Sequence, residues 1–232
     1  MTSMESNNIP IPITQDMLED VSPTPQVSRR FESGISPLPP VTIAVIIFIS
    51  VVFLIQLIAT QDDSYAFLDV FILSRSSVMA GNYVSLISST FMHADFQHIF
   101  GNVLALFVIG VMTEHAYGKA RFIFIFILTA IMSSLASILI QTEPSVGASG
   151  AIFGIMGAMI AYAKARPNLF SNQEKRIGGV LIFWSAYMII SGFMTPFIDN
   201  AAHIGGFLSG IILGCLIEIN SHRSKPKVDH TG

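Results

Sequence analysis

Six uncharged stretches dominate this chain: residues 41–61, 96–113, 122–142, 144–163, 177–198 and 200–217. Each has the length at which a helix crosses the hydrocarbon core of a bilayer, about 20 residues. Lipid offers no partner to backbone N–H and C=O groups, so such a stretch closes its hydrogen bonds internally as a helix. The sequence therefore predicts an all-α membrane protein with six transmembrane helices. Composition agrees: 52% of residues are hydrophobic and 12% charged, against about 25% charged in ordinary soluble domains. That excludes a soluble enzyme and a disordered chain. The net charge of −3 gives no basic footprint for nucleic acid. A single cysteine, Cys215, excludes an intramolecular disulfide framework. The first stretch is not a cleaved signal peptide. It starts late, exceeds a signal h-region in length, and no small-residue cleavage motif follows it.

Lysine and arginine set the orientation. With the N-terminus inside, Arg29, Arg30, Lys119, Arg121, Lys164, Arg166, Lys175, Arg176, Arg223, Lys225 and Lys227 all fall on the inner side, and Arg75 alone outside. The asymmetry predicts cytoplasmic termini and supports the count of six spans. Residues 1–40 are rich in proline, serine and asparagine and read as a flexible cytoplasmic tail. Residues 41–218 form the helical domain, and 219–232 a second cytoplasmic tail. The outer loop 62–95 has two apolar patches, 66–73 and 83–92, too short to span and expected at the membrane interface.

Polar groups inside the spans are costly and mark function by default. His98 and Asn102 open the second helix, Ser149 the fourth and His203 the sixth. Even-numbered helices run from outside to inside on the charge map, so all four residues fall in one layer near the outer surface. A serine nucleophile needs a base, and His203 is the candidate. Ser149 sits at a helix N-terminus, where free N–H groups favour developing negative charge. His98 and Asn102, spaced i,i+4, share a helical face and can donate to an oxyanion, with the Ser149 N–H as a further donor. Gly206, Gly210 and Gly214 on the sixth helix, and Gly150, Gly154, Gly157 and Ala161 on the fourth, allow close packing that brings Ser149 beside His203. Other polar residues read more plainly. Ser133, Ser134 and Ser137 are expected to bond their own helix backbone. Asp199, with Asn200, reads as a cap of the sixth helix rather than a triad acid. His93 reads as structural. Glu114 and Arg121 flank a short inner loop and are expected to pair or snorkel. No metal is implied, because the two layer histidines lack a carboxylate or thiolate at ligand spacing on their helices.

At these residues the chain resembles a rhomboid intramembrane serine protease of the six-helix bacterial type. Gly147-Ala148-Ser149-Gly150-Ala151-Ile152-Phe153-Gly154 is similar to the family's nucleophile motif, and Ala202-His203-Ile204-Gly205-Gly206 to its histidine motif. His93, His98 and Asn102 fit its His-x4-His-x3-Asn pattern. Glu114, Tyr117, Gly118 and Arg121 resemble its inner loop. Val84 and Ser85 stand where family members often carry Trp-Arg. The resemblance implies a six-helix rhomboid-like bundle around a water-filled cavity. It implies a catalytic Ser149–His203 dyad without a third acid, and oxyanion stabilisation by His98, Asn102 and the Ser149 backbone. Gly147 and Phe153 would support the site, Phe153 by packing on His203. Helix 5, with Phe183, Trp184 and Tyr187, would form a lateral gate. Transmembrane protein substrates and membrane lipid are the implied partners, with no cofactor, and a bacterial inner membrane the implied location. Oligomeric state is not legible. Two rivals remain: a non-catalytic membrane-helix binder of the same fold, and a small transporter with Ser149, His98 and His203 along a polar path.

Overall fold

The computed structural model describes residues 38–59, 68–169, 172–194 and 198–223. The tail expected over 1–40 lies outside them except for its last three residues, as does 224–232. Six principal helices follow in order: α1 (Pro40–Ala59), α2 (Phe96–Tyr117), α3 (Lys119–Ile140), α4 (Ser149–Ala165), α5 (Asn172–Gly192) and α6 (Asn200–Arg223). Among the described residues the only extended pairing is an isolated bridge between Leu73 and Ser145. Among the described residues, four helices are long and apolar enough to cross a membrane: α1, α2, α3 and the Asn200–Asn220 part of α6. The apolar helix α4 and the Ile182–Gly192 part of α5 are shorter. The fold is an all-α membrane bundle.

Several boundaries differ from the uncharged runs, and the reason is visible for three of them. The fourth helix begins at Ser149, not at residue 144. Ser145 is held in the bridge to Leu73, and Gly147 has φ +121°, which no right-handed helix contains. Helix α5 lies about a turn earlier than residues 177–198. It ends at Gly192, four residues ahead of Pro196, which has no N–H to donate to the Gly192 carbonyl and so cannot continue the helix. Helix α6 continues past residue 217 to Arg223, because the charge that ends the apolar run, Glu218, is neutralised in place. Arg166 Nε donates to Glu218 Oε2 at 2.7 Å.

Helix α4 is the core of the bundle. Its residues from Gly150 through Met159, then Ala161 and Tyr162, are buried. It is enclosed by α6, α3 and α2. Its contact with α6 is backbone against backbone. A Cβ added at Gly206 would run into the Gly150 carbonyl oxygen, and one at Gly210 into that of Gly154. Gly157 lies in the same way against the Phe207 carbonyl. The small-residue spacing on both helices thus has the packing role expected of it.

Helix α1 packs more lightly, with Ile47, Phe48, Val51, Leu54 and Ile58 exposed. Its first turn is tied down from α2. Glu114, only 4% exposed, accepts from Val41 N at 3.2 Å, Thr42 N at 2.6 Å and Thr42 Oγ1 at 2.8 Å. The expected pairing of Glu114 with Arg121 is therefore corrected: the carboxylate caps another helix, where free N–H groups and the dipole attract it. Within α2, residues Leu106–Gly110 form a π-helical turn. Gly110 faces Thr42 there, so closely that a Cβ would lie 2.8 Å from Thr42 Cγ2. Glu114→Ala is expected to destabilise the protein by about 2–4 kcal/mol, because it strands buried donors and removes charge-assisted bonds. Thermal unfolding in detergent checks this.

Candidate active site

Three helix starts meet at one end of the bundle. At the start of α2, Asp95 has extended backbone and its Oδ1 accepts from His98 N at 2.8 Å. This N-cap fixes where the helix begins and so sets His98 and Asn102 on one face. The sequence reading did not single out Asp95; an Asp immediately before an apolar helical run was the available signal.

The segment before α4 is pinned from the long loop. Leu73 and Ser145 exchange backbone hydrogen bonds at 3.1 and 2.8 Å, and Gly147 N donates to Ser89 O at 2.9 Å. Gly147 is needed twice over. Its positive φ disfavours any L side chain, and a Cβ there would lie 2.6 Å from both Cε1 and Nε2 of His98. The same position is 3.6 Å from Asn102 Nδ2. The polar ends of His98 and Asn102 thus converge on the backbone two residues before Ser149. Asn102 is 5% exposed, and its Nδ2 has no hydrogen-bond partner among the described residues. Ser149 is the first residue of α4, and no side chain caps that helix. The first-turn N–H groups of α4 therefore have no partner within the helix.

Helix α6 supplies His203. Asp199 Oδ1 accepts from Ala202 N at 2.9 Å, which makes Asp199 the cap the sequence suggested. Its other oxygen, Oδ2, accepts from Ser137 Oγ on α3. Ser137 therefore reaches across to another helix instead of bonding its own backbone as expected. Ser133 does bond its own backbone, through the Ala130 carbonyl. His203 Nε2 and Ser149 Oγ are 2.8 Å apart, a hydrogen bond linking residues 54 positions apart in sequence. The Phe153 ring lies nearly parallel to that of His203, with centroids 4.5 Å apart and planes 19° apart. His203 Nδ1 is buried and has no hydrogen-bond partner among the described residues, so no acid is bonded to the far side of the imidazole.

His93 lies behind His98. It is 2% exposed, and its ring meets the His98 ring edge-on with centroids 5.2 Å apart. Burial, followed by the neighbouring His98, pushes its pKa down to about 4 against smaller opposing effects of the Phe91 backbone and Asp95. Phe183, Trp184 and Tyr187 on α5 are exposed.

The Rhomboid domain family matches residues 80–219, more than half of the chain, and the chain belongs to that family. It is a multi-pass integral membrane protein. It is 35% identical over 136 residues to Rhomboid protease GluP of Bacillus subtilis, covering 59% of this chain and 26% of that protein. It is 32% identical over 148 residues to RHOMBOID-like protein 5 of Arabidopsis thaliana, covering 62% of this chain and 47% of that one. Inactive RHOMBOID-like protein 8 of the same plant is 33% identical over 125 residues, covering 53% of this chain and 35% of its own length. The chain thus spans between a quarter and a half of these relatives.

Proposed function

We propose that this protein is an intramembrane serine endopeptidase that cleaves transmembrane segments of other membrane proteins near their outer ends. Similarity reaches both a relative named a protease and one named inactive, so membership alone does not decide activity. The observation that carries the reading is the 2.8 Å contact between Ser149 Oγ and His203 Nε2. At that distance a neutral imidazole can take the hydroxyl proton as Oγ attacks the scissile carbonyl. The tetrahedral oxyanion is held by the Ser149 N–H, Asn102 Nδ2 and His98, donors already in place before the charge develops. His203 then gives its proton to the leaving amine, and water hydrolyses the acyl-enzyme with His203 again as base. Phe153 backs the imidazole, and Gly147 keeps the approach to His98 clear. The exposed aromatic residues of α5 fit a lateral path for a substrate helix. The lysine and arginine asymmetry supports cytoplasmic termini, with the site near the outer face, and the resemblance to the bacterial six-helix type supports a bacterial inner membrane. Membrane lipid is the surrounding partner.

The transporter reading has less behind it. Several buried polar side chains deeper in the helices are spent on their own backbone: Thr113 on Ile109, Thr129 on Ile125 and Ser209 on Gly206.

A helical substrate hides its carbonyls, so it must unwind locally before attack. Gly and Pro lower that cost by about 1 and 3 kcal/mol relative to Ala. Cleavage is therefore expected in the outer third of a substrate helix, after a small residue, with Gly or Pro a few positions deeper. Replacing that Pro by Leu should slow cleavage at least roughly tenfold. Mass spectrometry of the products decides: a cut in the cytoplasmic half, or an unchanged rate on the stiffened substrate, contradicts the mechanism.

Asp199→Asn is expected to keep activity within about fivefold, since Asn caps a helix about as well as Asp. A loss near 10⁴-fold, the size seen when a triad acid is neutralised, would instead give Asp199 a role in orienting His203.

A further inference from the structure

We propose that Asn200 is a positioning residue for His203: its side-chain oxygen takes up the Nδ1–H of the imidazole through one bridging water and so leaves Nε2 free to act as the base. The inference rests on the reading of Ser149 and His203 as a catalytic pair. In a neutral imidazole one nitrogen carries the proton and the other accepts. Nε2 lies 2.8 Å from Ser149 Oγ, so it can take the serine proton only if the resting proton sits on Nδ1. Which nitrogen holds that proton is set by the hydrogen bond the far nitrogen makes.

Nδ1 is buried, and a buried N–H without an acceptor is costly. Its own helix offers two side-chain acceptors one turn back, Asp199 and Asn200. Asp199 is committed elsewhere. Its Oδ1 accepts from Ala202 N, and its Oδ2 from Ser137 Oγ on α3. Asn200 Oδ1 is buried and has no hydrogen-bond partner among the described residues. A donor and an acceptor are thus left over at positions i+3 and i of one helix, where Cβ atoms lie about 5–6 Å apart. They do not bond each other directly. A single water that accepts from Nδ1–H and donates to Oδ1 satisfies both. The other buried carboxylate or amide oxygen in the same condition, Glu218 Oε1, lies about four turns further along α6 and cannot serve. Gly192, at the end of α5, keeps the amide where it is. A Cβ there would overlap Asn200 Oδ1 and lie 2.7 Å from Ile198 Cγ2. The Asn200 oxygen therefore occupies space that only a glycine leaves open. A neutral amide fixes the tautomer without the charge of a triad acid.

The test is ¹⁵N NMR of the histidine-labelled protein in detergent, together with kcat and KM on a transmembrane substrate. In wild type, neutral His203 is expected to show a protonated Nδ1 and an unprotonated Nε2. Asn200→Ala should lose that preference, with an Nε2–H form appearing. It should lower kcat at least about fivefold with KM within about twofold, because the base and not substrate binding is affected. Asn200→Asp returns an acceptor to the same position and suits a helix N-terminus. It should restore the Nδ1–H form and bring kcat to within about threefold of wild type. Ile198→Ala loosens the same turn against Gly192 without removing an acceptor, and should change neither the tautomer nor kcat. A wild-type His203 protonated at Nε2, an Asn200→Ala variant with unchanged tautomer and kcat, or an equal fall of kcat in Ile198→Ala overturns the role of Asn200. The wild-type and Asn200→Asp spectra carry the test if Asn200→Ala does not fold. A wild type whose Ser149 takes no fluorophosphonate overturns the protease reading instead, and the tautomer of His203 is measured independently of that outcome.

Discussion

Ser149→Ala is expected to reduce cleavage of a transmembrane substrate to background, a loss of at least about 10⁴-fold, and His203→Ala to do the same. Nucleophile and base act as one unit, so removing either loses nearly all of their joint contribution. The residual rate would come from the oxyanion donors and from substrate binding. Neither substitution should disturb the fold. Ser149 begins α4 without capping it, and the stacking of His203 on Phe153 is a small part of the α4–α6 contact. The assay is gel-based cleavage of a purified substrate, with labelling by a fluorophosphonate probe in parallel. Labelling should vanish in both variants while their melting curves stay close to wild type. Turnover near the wild-type rate in either variant removes the dyad from the mechanism. A wild type that folds but takes no label favours the non-catalytic helix binder.

The most severe effect on stability is expected from a large side chain at Gly210, and even the smallest one is costly there. Replacing a helical glycine by alanine normally favours the helix by about 1 kcal/mol. At Gly210 the new Cβ would collide with the Gly154 carbonyl oxygen, and neither atom belongs to a side chain that can rotate away. The helices must separate, which forfeits close contacts along their whole length, and overpacking of this kind costs about 1–3 kcal/mol or more. Gly210→Ala is therefore expected to lose at least about 2 kcal/mol net, and Gly210→Leu to prevent folding. Gly101 is the control, since a Cβ there meets nothing within 4 Å. Gly101→Ala should be neutral or slightly stabilising. Urea or thermal titration in detergent would show the contrast. Equal behaviour of the two alanine variants would mean that the α4–α6 contact is looser than described.

Periodicity, charge and small-residue spacing made much of this legible. The uncharged runs located the helices because lipid demands continuous apolar length. The glycine spacing located the contact between α4 and α6. What escaped were features decided by partners far away in sequence. An uncharged run cannot show that residues 144–148 are loop, because Ser145 is held by Leu73 and Gly147 by Ser89. Glu114 looks like a snorkelling charge until the first turn of α1, 72 positions away, is folded against it. Ser137 resembles its neighbour Ser133 in sequence, and only the position of Asp199 makes their bonding differ. Gln56 sits in an apolar helix with no local sign that its amide hydrogen-bonds the His93 backbone, 37 positions away.

The enclosure of α4 also bears on where the bilayer exerts its influence. Helices bathed in lipid respond to membrane thickness by tilting or by drawing lipid around them. Helix α4, sheathed on nearly every side by α2, α3 and α6, is dissolved in protein instead. Its 17 residues span about 25 Å at 1.5 Å per residue, less than a typical hydrocarbon core. Nothing about lipid requires it to be longer. The depth of its first residue is fixed by the carbonyl-to-glycine contacts along α6. A thinner or thicker membrane acts first on the helices with open faces, α1 above all, while Ser149 and His203 keep a common depth set by the close contact between the two helices that carry them.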